Sequence, residues 1–167
     1  MSATACSASR RRELIAALGL VPHPEGGFFR EIHRAAATVI SPSCGLPRSC
    51  LTDIYFLLAA GQVSRFHRVL HDELWHFYEG APLQLFEFDA CDGGLCAALL
   101  DPQASPPRFA HCIPGGVWQA ACSSGDYSLV GCCVAPGFEF ADFAFLADDP
   151  AASSLLRTRH PAHLHFL

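Results

Sequence analysis

The stretch Gly61-Gln-Val-Ser-Arg-Phe-His67-Arg-Val69-Leu-His71-Asp-Glu73-Leu-Trp-His76-Phe-Tyr-Glu-Gly80 decides how the rest of the chain is read. Five residues lie between Gly61 and His67, five between His67 and Glu73, and six between Glu73 and Gly80. Two apolar runs, 63–70 and 73–79, are bounded by these turn-forming residues and read as neighbouring strands. An imidazole and a carboxylate are thereby placed on one patch. The position two after His67 holds Val69, which has no chemistry of its own.

Working outward, the 167 residues fit one domain and suffice for one substantial core. Hydrophobic residues make up 51% and charged residues 16%, a balance that excludes a disordered chain. Apolar runs such as 54–60 are too short to cross a bilayer, so no membrane partner is expected. The formal net charge is −5 and no basic stripe exists, which argues against nucleic acid. All eleven basic residues are arginine, and the missing lysine removes any Schiff-base mechanism.

Nine cysteines (Cys6, Cys44, Cys50, Cys91, Cys96, Cys112, Cys122, Cys132 and Cys133) form no CxxC pair and are odd in number. They read as buried free thiols that behave as small hydrophobes, in a reducing, cytoplasmic compartment. Residues 1–12 carry no acid and read as a flexible tail, with a short organelle-targeting segment as the alternative.

Leu14, Ile15 and Leu18 share a face of a short helix that Gly19 can end. His23-Pro-Glu-Gly-Gly27 is turn-rich, and an alternating strand follows through Phe28, Arg30, Ile32 and Arg34. Residues 41–49 suit a surface loop. From Leu51 onward come runs at 51–59, 63–70, 73–79, 82–89, 94–100, 108–113, 117–122, 127–135 and 138–146. About nine strands at this spacing require a closed barrel or a two-sheet roll. The last segment, His160–Leu167, reads as a loosely docked tail.

The Gly61–Gly80 spacing resembles the first signature of the cupin superfamily, Gly-x5-His-x-His-x3-Glu-x6-Gly. Pro114-Gly-Gly-Val-Trp-Gln119 resembles the second, with Gln119 at its histidine position. Pro22-His-Pro-Glu-Gly-Gly-Phe-Phe-Arg-Glu31 narrows the resemblance to the cupin-5 family, also called domain of unknown function 985. Asp53–Leu58, Ser64–Arg68, Asp72–Tyr78, Tyr127–Gly131 and Val134–Phe140 continue that resemblance in order. It implies an all-β double-stranded β-helix, the RmlC-like jelly-roll barrel, behind a short N-terminal helix. It also implies a homodimer with a ligand-sized pocket in each barrel. The domain expected on these grounds spans 13–146, with 147–167 as a C-terminal tail.

In metal-binding cupins three histidines and a glutamate hold a divalent ion; here Val69 and Gln119 stand at two of those positions. No cofactor is therefore favoured. A divalent metal, if present, would need His67, Glu73 and Gln119 with His71 or His76. Strand alternation from Glu73 turns His76 to the opposite face.

Without metal, His67 and Glu73 make a candidate general acid/base pair, or a buried pair that only satisfies itself. Phe28, Phe56, Trp75, Phe77 and Trp118 are candidate pocket walls, and Ser64 and Gln119 candidate polar contacts. Arg30 and Arg68 offer guanidinium forks for an anionic group. Three functions fit: a metal-independent isomerase or epimerase acting on a sugar nucleotide or related metabolite; a non-catalytic binder of a small polar metabolite; and a metal-dependent dioxygenase or lyase.

Overall fold

Period-two alternation governs most of the chain, and the strands it builds lie in two antiparallel sheets. The structure is a computed structural model; it describes residues 3–167, with side chains from residue 8 onward. One sheet runs in the order β1 (Val21–Pro22), β2 (Phe28–Arg34), β5 (Thr52–Ala59), β12 (Tyr127–Ala135), β7 (Asp72–Gly80) and β10 (Ala110–Ile113). The other takes β13 (Phe143–Phe145), β6 (Val63–Val69), β11 (Trp118–Ser123), β8 (Leu83–Phe88) and β9 (Leu95–Leu100). A separate hairpin pairs β3 (Thr38–Ile40) with β4 (Pro47–Ser49). This is the expected all-β jelly roll.

Each sheet is apolar on both faces, so the molecule has three apolar layers. Phe56, Leu58, Trp75, Leu83, Leu85, Leu100, Ile113 and Val130 fill the space between the sheets. On the outside of the six-stranded sheet, Leu57, Tyr127 and Leu129 pack under Leu14 of helix α1 (Ala3–Leu18) and Leu20 just beyond it. On the outside of the five-stranded sheet, Phe66, Phe86, Phe88 and Trp118 lie beneath helix α2 (Pro150–Arg159) and Phe166. Alternating strand residues thus serve different layers: Leu83 and Leu85 face inward, whereas Phe86 and Phe88 face out. The in–out switch within β8 gives each covering helix something to bury.

Four expectations change. The last segment, His160–Leu167, is not loosely docked, since Phe166 is buried against Phe66 and Phe86, and a helix precedes it. Asp149 accepts from the backbone N–H groups of Ala151 and Ala152, Pro150 occupies the first turn, and Ala152 and Leu156 (four residues apart) are buried. The N-terminal residues from Ala3 are helical rather than a flexible tail, and the helix ends at Gly19 in the left-handed region as expected. Of residues 41–49, 41–46 form the turn of a hairpin, exposed apart from Ser41, while Pro47–Ser49 is its second strand. Only Phe143–Phe145 of the 138–146 run pairs as strand, because Phe140–Asp142 tightens into a 3₁₀ turn.

The eight cysteines from Cys44 to Cys133 are free thiols, but the expected burial holds only for Cys132: Cys44, Cys91, Cys96 and Cys112 are exposed; the Cys6 side chain lies outside the described residues. No helix among the described residues is long and apolar enough to cross a membrane.

Candidate functional site

His67 reaches the space between the sheets through an irregularity in β6. Opposite β11 the register steps from Gln119↔His67 to Ala121↔Ser64, so Arg65 and Phe66 of β6 together face Ala120 of β11. This bulge puts Ser64, His67 and Val69 inward while Phe66 packs outward. On β7, Glu73 and Trp75 face inward by simple alternation.

The segment His23–Gly27 delivers a residue that strand logic does not reveal. Gly26 (φ 117°) and Gly27 (φ 69°) occupy left-handed backbone. A Cβ on Gly26 would overlap the Val63 carbonyl oxygen, so only glycine allows the segment to lie against β6. Arg65 N–H then donates to the Glu25 carbonyl (2.9 Å), and the Glu25 side chain turns inward. Its Oε2 lies 3.1 Å from His67 Nε2 and 3.5 Å from His23 Nδ1, and Ser64 Oγ donates to Oε1 (2.8 Å).

The tautomer of His67 follows from its partners. Nδ1 lies 2.8 Å from the Arg65 carbonyl oxygen, which can only accept, so Nδ1 carries a proton. Nε2 and Glu25 therefore share one proton between them. His67 is 2% exposed, and burial lowers its pKa from the ordinary imidazole value. Burial likewise pushes Glu25 up to about 7, with His23, Ser64 and Arg65 opposing. The proton accordingly resides on Glu25, giving a neutral imidazole beside a neutral acid.

Glu73 stands as a second carboxyl near His67. Burial is again the main cause that raises it to about 7, Glu25 adds to the rise, and His67 opposes it. The Gln119 amide donates to Glu73 Oε2, Gln119 Oε1 accepts from Trp75 Nε1 (3.0 Å), and the Cys132 thiol also bonds Glu73. His23 is lowered by burial and holds its ring edge-on to Phe29 and Phe56.

These groups line a cavity of about 90 Å³. Its walls are Thr52, Ile54, Val69, Cys132 and Val134, and its mouth carries Phe29, Phe138, Phe140, Phe143 and Arg34. Phe143 stacks on His67 (5.2 Å, 18°).

Of the residues singled out from sequence, His67 and Glu73 line the cavity; Gln119, itself held by Trp75, bonds Glu73, and Ser64 bonds Glu25. Phe56 is core behind Trp75, packed edge-on at 5.9 Å. Phe77 packs on the same core farther along β7. Phe28 belongs under α1, and Trp118 lies beneath the C-terminal segment. Arg30 donates to the Leu18 carbonyl oxygen, and Arg68 covers the Trp118 ring at 4.5 Å. Neither guanidinium reaches the cavity, because Arg30 shares the outer face of β2 with Phe28, and Arg68 shares the outer face of β6 with Phe66.

The usual cupin metal set does not fit here. Val69 stands in the wall, Gln119 is committed to Trp75 and Glu73, and His71 Nε2 is held 2.7 Å from Ser41 Oγ. His76 pairs across β12 on the alternate face. Among the described residues no group of three or more His, Cys, Asp or Glu side chains is arranged to hold a metal ion. Sequence reasoning missed Glu25, His23 and the phenylalanine mouth; the Glu preceding two glycines was the available signal.

Residues 12–146 match a family model described as Cupin superfamily (DUF985). A hypothetical protein from Leishmania major is 31% identical, with a TM-score of 0.77 over 92% of this chain and 93% of that one. A protein from Shewanella oneidensis is 34% identical, with a TM-score of 0.76 over 92% of this chain and 91% of its own. An oxalate decarboxylase from Lactobacillus farciminis shares the fold alone: 14% identity and a TM-score of 0.55 over 83% of this chain and 37% of that one. No curated protein matches the chain. The chain belongs to the cupin-5 (DUF985) family of the cupin superfamily.

Proposed function

We propose that the cavity is the active site of a metal-independent isomerase or epimerase that moves protons on a small polar metabolite. The observation that carries this reading is the Glu25–His67 contact, with Nδ1 of His67 pinned by the Arg65 carbonyl and Glu73 on the same cavity wall. Two carboxyls that burial raises to about 7, one of them sharing its proton with an imidazole, are the groups such a reaction needs.

In the proposed step, Glu73 as carboxylate takes the proton from a carbon beside a carbonyl; the electron pair of the broken C–H bond forms a C=C bond, and the carbonyl π pair moves onto oxygen. The Glu25–His67 pair donates a proton to that oxygen. Reversal with delivery to the opposite face of the carbon, or to the neighbouring carbon, completes epimerisation or isomerisation. Atoms and charge balance without a redox partner. Gln119 and Cys132 hold Glu73 in place, and the phenylalanine mouth limits water around the developing charge.

The test is solvent-deuterium incorporation into a panel of polyhydroxylated aldehydes and ketones, followed by NMR. Deuterium should enter the carbon next to the carbonyl with the wild type and not with His67→Asn or Glu73→Gln, and a chelator should leave the rate unchanged. A rate that collapses with chelator would overturn the reading in favour of a metalloenzyme.

A further inference from the structure

The charges around the cavity are one-sided. Its lining contains four carboxyl groups, Glu25, Glu31, Glu73 and Glu139, and one guanidinium, Arg34. Arg34 is already engaged: Nε and Nη2 donate to Glu31, Nη1 to Glu139 at 2.7 Å, and Nη2 also to the Phe138 carbonyl. Arg65 donates to the Pro24 carbonyl and lies over the Phe145 ring at 4.2 Å, whereas Arg30 and Arg68 sit on outer faces. Among the described residues that line the cavity, no basic side chain is free to meet an anion. The two innermost carboxyls have only neutral partners: Ser64, Gln119, Cys132 and histidines whose charging burial opposes.

The mouth adds a second, independent preference. Phe138, Phe140 and Phe143 meet edge to face at 5.1–6.5 Å, and the His23 ring lies between Phe29 at 4.5 Å and Phe140 at 6.3 Å. Phe140 is 59% exposed although it has three aromatic neighbours. Ring faces attract cations and carboxylates pair with them; neither favours phosphate or carboxylate ligands.

We infer that the cavity takes an amine-bearing, positively charged small molecule, with its ammonium group against Glu25 and Glu73 and its body against the phenylalanine mouth. The ammonium supplies the counter-charge that the buried carboxyls lack, and it lets Glu73 ionise in place while Glu25 keeps the proton it shares with His67. An anionic sugar nucleotide, by contrast, would bring its phosphates to a rim that holds two glutamates. The inference deepens the proton-transfer reading by assigning the substrate class of the same cavity, yet its test reads binding and not turnover.

Ethanolamine, choline, ethylene glycol and glycolate are titrated at one ionic strength and pH 7.5 into ¹⁵N-labelled full-length protein, following the amides of Gly26, Gly27 and Phe143. The two ammonium compounds should bind about tenfold more tightly than ethylene glycol, and glycolate should not bind. Glu25→Gln and Glu73→Gln should each remove most of that advantage. Phe140→Ala, at an exposed position, should weaken the ammonium compounds about fivefold while leaving the fold intact. Glycolate binding as tightly as ethanolamine, no binding of either ammonium compound, or ammonium binding indifferent to all three substitutions would overturn the inference. Ammonium binding without deuterium incorporation into any substrate would refute the catalytic reading and leave this one standing.

Discussion

The space between the two sheets is filled in opposite ways at its two ends. At one end Leu83, Leu85, Leu100 and Ile113 make a dry core with essentially no exposure. At the other, Glu25, His67, Glu73 and Gln119 are just as deeply buried but line a cavity or hydrogen-bond to its walls. The same strands build both. On β7 a two-residue step leads from Glu73 to Trp75, and on β11 from Gln119 to Ala121. Trp75 is the boundary: its ring packs on Phe56 while its Nε1 donates to Gln119. The rigid apolar end is what lets buried ionisable groups keep fixed positions at the polar end.

If that division is right, substitutions at the two ends differ in kind. Leu100→Ala removes a fully buried side chain from the dry end and should lower stability by about 3–4 kcal/mol, with little change in the cavity's amide shifts. Urea denaturation checks this, and a loss below about 1 kcal/mol would mean that the apolar end is not close-packed. Gly26→Ala comes next. Its strained backbone and the clash with Val63 should cost about 2–3 kcal/mol and displace Glu25, so the His67 resonances shift along with the midpoint. A stable variant with unchanged His67 signals would separate the glycine from the site.

At the polar end the sign depends on pH. Glu25 and Glu73 hold their protons up to about 7 in the fold, against the ordinary carboxylate value near 4.5. Between those values the folded state binds more protons than the unfolded chain, so the stability these groups contribute is full below about 4.5 and is lost as pH rises through 7. His23 and His67, lowered by burial, act only below about 6.5, where charging them in the unfolded chain works against the fold. From pH 6.5 to 8 the carboxyls therefore dominate. The Glu73→Gln variant should gain on the wild type across that window, whereas Leu100→Ala should run parallel to it. Thermal melts at several pH values decide it, and a Glu73→Gln curve parallel to the wild type contradicts the raised carboxyls. Smallest of all, Arg30→Ala and Arg68→Ala should change ligand binding not at all and stability by no more than about 0.5–1 kcal/mol.

The division between the ends was only partly legible in the sequence. Runs of alternating residues between Gly, Pro and Asp turns specify the strands, and the spacing of His67, Val69 and Glu73 with Gln119 identifies a barrel whose metal positions are altered. Those signals are local. The role of Glu25 is not, because it depends on two left-handed glycines and on the approach of their segment to β6, which are facts about tertiary contact. Arg30 and Arg68 misled for a related reason: a basic residue in a strand says nothing about which face of the sheet it occupies once a bulge intervenes. The C-terminal helix was hidden by composition. Its Asp149-Pro150 cap is a clear start signal, but Ala152, Leu156 and Phe166 are few anchors in a segment rich in alanine and serine.

The central claim is that His67 and Glu25 share a single proton, with His67 neutral and protonated on Nδ1. Long-range ¹H–¹⁵N NMR of the histidine side chains between pH 5.5 and 8 tests it most directly. The account predicts that at pH 7 the Nδ1 of His67 resonates as a pyrrole-type, protonated nitrogen and Nε2 as a bare one, and that Gly26→Ala disturbs this pattern. An imidazolium at pH 7, or a proton found on Nε2 instead of Nδ1, would contradict it.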